Sequence, residues 1–150
     1  MFSWKSTTAA TRLAVSAADA GLVLAGGAVG TGARYQLGLL IPEAGFIVPL
    51  VTLAINVAGA FLLGALLEGL VLRGDDVGWR RHARLAVGTG FCGGFTTYSS
   101  LAVAVTNMAQ QGHPVRSLAY GGGSIVLGAL AAFAGIVVAV RMHREVETTC

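Results

Sequence analysis

Apolar residues run along this chain in four long blocks separated by polar breaks. The blocks cover roughly residues 22–40, 48–72, 83–108 and 115–140. A helix of about 20 mainly apolar residues crosses a bilayer, so each block is long enough. "IPEAG" at Ile41–Gly45 reads as a turn, "RGDDVGWRR" at Arg73–Arg81 as a charged loop, and "QQGHP" at Gln110–Pro114 as a polar helix stop. The pattern predicts an all-α membrane protein with one four-helix transmembrane unit over residues 21–141. A loosely ordered lead over residues 1–20 precedes it, and a tail over residues 142–150 follows. The lead is small, polar and weakly basic, without the unbroken apolar core of a secretory signal.

Composition agrees with the pattern. The chain is 55% hydrophobic and 11% charged, against about 25% charged in soluble domains, too little polar surface to coat a soluble globule. Its 22 glycines lie largely inside apolar runs, as in membrane helices that pack closely. The net charge of +3 is modest and the basic residues gather at segment ends, so they read as topology signals and not as a nucleic-acid surface. Four spans put both termini and the middle loop on one side. That side holds Lys5, Arg12, Arg73, Arg80, Arg81, Arg84, Arg141 and Arg144; the other holds Arg116, and Arg34 lies within the first span. Eight against one predicts a plasma-membrane protein with both termini in the cytoplasm. Cys92 and Cys150 make neither a disulfide framework nor a metal-ligand spacing and read as inert thiols. No nucleophile–base pair, phosphate loop or zinc spacing suggests an enzyme.

Polar groups inside the spans are costly and mark function or helix contact. In the first span, Gly26, Gly30 and Arg34 recur every fourth residue; Arg34 either joins that packing face or snorkels to headgroups. Thr52, Asn56 and Gly59 share one face of the second span, and Asn56 either bonds two helices or lines a path. In the fourth span, Tyr120, Ser124, Gly128 and Ala132 form one row, a packing stripe or a hydroxyl-lined track. The third span carries "FCGGFTTYSSL" at Phe91–Leu101. Gly93-Gly94 is expected to weaken the helix there, by a simple kink or by a true break. A break frees carbonyl oxygens able to bind a dehydrated cation. Thr96, Thr97, Ser99 and Ser100 add hydroxyls, and Tyr98 offers an electropositive ring edge to a small anion.

Three segments, "GGAVGTGARY" at Gly26–Tyr35, "TLAINVAGAFLLG" at Thr52–Gly64 and "GTGFCGGFTTYSSL" at Gly88–Leu101, together resemble the Fluc (CrcB) family of fluoride channels. The resemblance runs from Gly26 to the end of the fourth span. It implies antiparallel dimers of four-helix subunits, with the third helix broken mid-membrane, two fluoride pores and one central, structural sodium ion that is not transported. On this resemblance, the backbone carbonyls of Gly93 and Thr96 hold sodium, and Asn56, Tyr98, Ser99, Ser100, Tyr120 and Ser124 line the fluoride pore. Arg34 serves its electrostatics or structure. The implied activity is passive export of fluoride from the cytoplasm. Two features depart from the family pattern. Phenylalanine is common at both positions held here by Tyr98 and Leu101, and an antiparallel homodimer needs nearly balanced flanking charge. The eight-to-one bias instead implies pairing with an oppositely oriented homologous subunit. Two other readings stay open: a small four-helix proton-coupled exporter, which needs a membrane-embedded carboxylate, and a non-conducting partner subunit of a heterodimeric channel.

Overall fold

A computed structural model describes residues 16–41 and 48–149, with side chains through Glu145. Residues 1–15 of the expected lead, most of the turn after Ile41, and Cys150 lie outside the described residues. Within them every regular element is a helix. Helix α1 spans Ala17–Leu40 and α2 spans Leu50–Val71. Helix α3 begins as Trp79–Ala83, widens into a π-helix over Arg84–Cys92, and returns to α geometry over Gly93–Phe95. Helix α4 covers Tyr98–Gln110 and α5 covers Pro114–Thr149. The four expected spans correspond to α1, α2, the α3–α4 run and α5.

Two of these helices, Leu50–Val71 and the Pro114–Glu145 part of α5, are long and apolar enough to cross a membrane. At about 1.5 Å per residue, α2 is about 33 Å long, close to the roughly 30 Å hydrocarbon core of a bilayer. Helix α1 is comparable in length but diluted by glycines, Asp19 and Arg34. The third run is divided at Thr96 and Thr97.

Glycine, not a large apolar core, sets the packing. A methyl group on Gly26 or Gly30 of α1 would meet the Ala86 or Phe91 carbonyl of α3, and one on Gly90 would lie 2.7 Å from the Val23 carbonyl. Likewise Gly64 of α2 faces the Ala132 carbonyl of α5, and Gly135 of α5 faces that of Phe61. The bundle is therefore two close pairs, α1 with α3 and α2 with α5. Asn56 and Gly59 of α2 join them at the α3–α4 junction. Such backbone-to-backbone approach is how helices associate where lipid removes the hydrophobic drive between them. The π-helical stretch includes Gly88 and Gly90, and at Gly90 the missing Cβ leaves room for the α1 backbone. Leu24, Leu40, Val71, Val115, Ile125 and Phe133 all point outward, a surface suited to lipid or to a partner subunit.

The helix ends are closed locally. The Ser16 hydroxyl accepts from the Ala18 and Asp19 amides, satisfying donors of the first turn of α1. Asp19 pairs with Arg81, which ties the start of α1 to that of α3. Arg73 donates to the Gly69 carbonyl at 2.7 Å, a cation at the helix end that the dipole makes negative. In the loop before α3, Asp76 pairs with Arg84 at 2.7 Å; that guanidinium, by its hydrogen bond above all, holds the Asp76 carboxyl below its ordinary range.

Candidate functional site

The third helical run is interrupted at Thr96–Thr97, not at the glycine pair. Gly93 keeps helical angles (φ −64°, ψ −37°), whereas Thr96 (φ −77°, ψ 158°) and Thr97 (φ −146°, ψ 114°) are extended. Low helix propensity alone does not break a helix when packing holds it. Gly94 is needed inside the helix, because any side chain there would strike the Gly27 carbonyl of α1. Thr97 can leave the helix because its main chain finds another partner. Asn56 Oδ1 accepts from the Thr97 N–H at 2.8 Å, and Asn56 Nδ2 donates to the Thr97 carbonyl at 3.0 Å.

The carbonyls before the break divide into three kinds. That of Cys92 accepts from the Thr96 amide at 3.0 Å and its hydroxyl at 2.8 Å. That of Gly94 accepts from Arg34 Nε at 3.2 Å and the Thr31 hydroxyl at 3.4 Å. A continuous helix would pair the Gly93 carbonyl with the Thr97 amide and the Thr96 carbonyl with the Ser100 amide. Both amides go elsewhere, the first to Asn56 and the second to the Thr97 hydroxyl, at 2.8 and 3.1 Å. Thr97 thus caps α4, and its buried hydroxyl also meets those of Ser99 and Ser100 at 3.1 and 3.0 Å.

Two grooves flank the break and share Thr97. One, of about 500 Å3, lies between α1, α2 and α4 and includes Thr31, Arg34, Thr52 and Ser100. The other, of about 400 Å3, lies between α2, the α3–α4 junction and α5, where Asn56, Gly93, Thr96, Tyr98, Leu101 and Ser124 line it. The sequence-derived candidates are therefore split. Asn56, Tyr98 and Ser124 share the second groove with both expected cation ligands, while Ser100 and Arg34 line the first. Ser99 is exposed and Tyr120 is buried, and neither lines either groove. The Tyr120 hydroxyl donates to the Pro49 carbonyl at 2.9 Å, and the Ser124 hydroxyl donates back to the Tyr120 carbonyl at 2.6 Å. Tyr98 is 82% exposed, so its ring presents a face and an edge to whatever covers this side. Among the described residues, no Asp or Glu lines either groove.

The family model described as "CrcB-like protein, Camphor Resistance (CrcB)" matches residues 21–136. The chain belongs to the CrcB family. This CrcB chain is 46% identical over 115 residues to "Fluoride-specific ion channel FluC 2" of Leifsonia xyli subsp. xyli, covering 77% of the chain and 79% of that relative. It is 46% identical over 121 residues to "Fluoride-specific ion channel FluC 1" of Cutibacterium acnes, covering 81% and 84%. It is 39% identical over 121 residues to "Fluoride-specific ion channel FluC" of Gloeobacter violaceus, covering 79% and 93%. These relatives are named as ion channels and not as enzymes, in line with the absence of catalytic motifs in the sequence.

Sequence reasoning underrated two members of this candidate site. Thr97 is its hydrogen-bonding hub, and a Thr just before an apolar helical run is an N-cap signal in its own right. Thr31 supports the Gly94 carbonyl beside Arg34, a contact between residues 63 positions apart. Arg34 is thus neither snorkelling nor merely packing; it closes the end of α3. Arg34→Ala is predicted to cost about 1.5–3 kcal/mol, the range for a hydrogen bond to a charged donor. Arg34→Lys should restore little, since the bond to Gly94 comes from Nε and lysine carries a carbon at that position. Thermal unfolding of the detergent-solubilised protein measures both.

Proposed function

We propose that this chain is a subunit of a fluoride-specific channel that lets fluoride leave the cytoplasm passively across the plasma membrane. The observation that carries the reading is the meeting of Asn56, Tyr98, Leu101 and Ser124 around one groove at the break, in a chain whose family includes relatives named as fluoride channels. Fluoride is small and strongly hydrated, so a pore must replace its water shell with N–H, O–H and ring-edge contacts without trapping it. Asn56 spends one N–H on Thr97, and an amide has two, so the second is available in type for an anion. Neutral HF entering from an acidic exterior ionises in the cytoplasm, and a passive path then suffices for efflux.

A structural sodium ion belongs to the same reading. The Gly93 and Thr96 carbonyls are hard oxygen donors whose helical amide partners are engaged elsewhere, which suits an alkali cation. When bound, it would supply fixed positive charge beside the anion path. We place the interruption at Thr96–Thr97 near the bilayer midplane, with the exposed Gly93 and Tyr98 face turned toward an antiparallel partner. The charge bias of eight against one favours a separate, oppositely oriented homologue as that partner.

No Asp or Glu lies in the central part of any of the four apolar runs, which supports a channel over a proton-coupled exporter, since the latter needs a group that carries the proton. The deciding experiment is fluoride efflux from proteoliposomes read with a fluoride electrode, for this chain alone and with an oppositely inserted homologue. Efflux that runs down the fluoride gradient without a pH difference is expected. Efflux that demands a proton gradient would move the protein to the exporter class, and none under either condition would leave a non-conducting subunit. Terminal tags probed for accessibility in whole cells should all face the cytoplasm; equal populations facing both ways would remove the argument for a heterodimer.

A further inference from the structure

Both expected cation ligands depend on one residue. In a helix each carbonyl is consumed by the amide four residues on, so an oxygen can serve a cation only if something else takes that amide. At Gly93 the amide in question belongs to Thr97, and Asn56 Oδ1 takes it at 2.8 Å. At Thr96 it belongs to Ser100, and the Thr97 hydroxyl oxygen takes it at 3.1 Å. Both diversions occur at Thr97, which is buried and held on its other side by Asn56 Nδ2 on its carbonyl. The neighbouring carbonyls are handled differently. Cys92 keeps its helical amide, and Gly94 is covered by Arg34 and Thr31. Of the five carbonyls from Cys92 to Thr96, those of Gly93 and Thr96 are the two whose helical amide is seen on another acceptor, with no side-chain donor in return among the described contacts.

We propose that Thr97, clamped by Asn56, is the positioning residue of the cation site, releasing the Gly93 and Thr96 carbonyls by diverting the two amides that would otherwise close helical turns onto them. The inference rests on the sodium reading given above. It assigns Thr97 no contact with the ion or with fluoride. It also gives Asn56 a role apart from the anion path: its carbonyl oxygen keeps the break open, while the residue also lines the groove.

The test is sodium-dependent stability of the purified, assembled channel, read as the melting temperature across a sodium titration with N-methylglucamine as the replacement cation. For the wild type, the melting temperature should rise with sodium and define a midpoint. Thr97→Val keeps the shape but removes the acceptor, leaving the Ser100 amide to seek the Thr96 carbonyl. It should raise the sodium midpoint about tenfold, the equivalent of about 1.4 kcal/mol and of one net hydrogen bond. Thr97→Ser retains the oxygen and should hold the midpoint within about twofold. Asn56→Leu, which removes the acceptor for the Thr97 amide, should shift it in the same direction and carries the test if Thr97→Val does not fold. A sodium-sensitive wild type with Thr97→Val or Asn56→Leu equally sensitive would overturn this inference alone. A wild type indifferent to sodium would overturn the cation reading and this inference with it.

Discussion

Asn56→Asp is expected to abolish fluoride flux while leaving an assembled protein. The substitution is nearly isosteric and keeps an oxygen to accept the Thr97 amide, now made at 2.8 Å. It loses the N–H that donates to the Thr97 carbonyl and the second N–H offered to an anion. It also sets a carboxylate in the groove lined by Asn56, Tyr98 and Ser124. Two like charges about 4 Å apart repel by about 4 kcal/mol at an effective dielectric constant of about 20, which is about a thousandfold in the occupancy or rate of an anion passing there. Electrode-recorded efflux from vesicles, on protein that elutes at the size of the wild-type assembly, measures this. Normal flux from a correctly assembled Asn56→Asp variant would refute a role for Asn56 in the anion path.

The second large effect is on folding. Gly94→Ala is expected to prevent the α1–α3 pair from closing, so that little folded protein survives extraction. The added methyl would strike the Gly27 carbonyl and lie 2.9 Å from the Thr31 hydroxyl. A main-chain oxygen of a packed helix cannot rotate aside, and the close approach recurs at Gly26, Gly30 and Gly90 along the same seam. Overpacking costs about 1–3 kcal/mol where side chains can yield; against backbone the cost lies at or above the top of that range. The clash also disturbs the carbonyl that Arg34 caps, so the end of α3 is lost with the seam. Gly32→Ala is the control, since nothing lies within 4 Å of its methyl position. It should hold or slightly raise the melting temperature, because alanine in a helix is favoured over glycine by about 1 kcal/mol. Equal melting temperatures for Gly94→Ala and Gly32→Ala would refute the seam as the determinant of the pair.

Particular residues mark where sequence reasoning reached the site and where it stopped. The Gly26–Gly30–Arg34 row pointed to a close helix face, and the structure puts Gly26 and Gly30 on α3 backbone, with Arg34 on the Gly94 carbonyl. Asn56 was recognisable as a costly polar group within an apolar run. That it spends both ends of its amide on one residue, 41 positions away, was not, since periodicity along one helix carries no register with another. The Gly93-Gly94 pair drew the expected break two residues too early for the same reason. Glycine propensity is local, but whether a turn opens depends on which backbone groups find partners across the bundle. Tyr120 and Ser124 lie on one row as expected, but their hydroxyls serve the Pro49 and Tyr120 carbonyls, and only Ser124 also lines a groove.

The sequence by itself determined that this chain is helical, poor in charge, divided into four apolar runs and tied by its three motifs to one family of membrane proteins. Those properties follow from composition and spacing, which act along the chain and need no knowledge of what lies across from each residue. Only the tertiary structure decided where the third run opens, which carbonyls it releases and which polar side chains meet in one groove. Each of these depends on satisfying main-chain donors and acceptors between helices, and a buried amide takes the nearest partner in space.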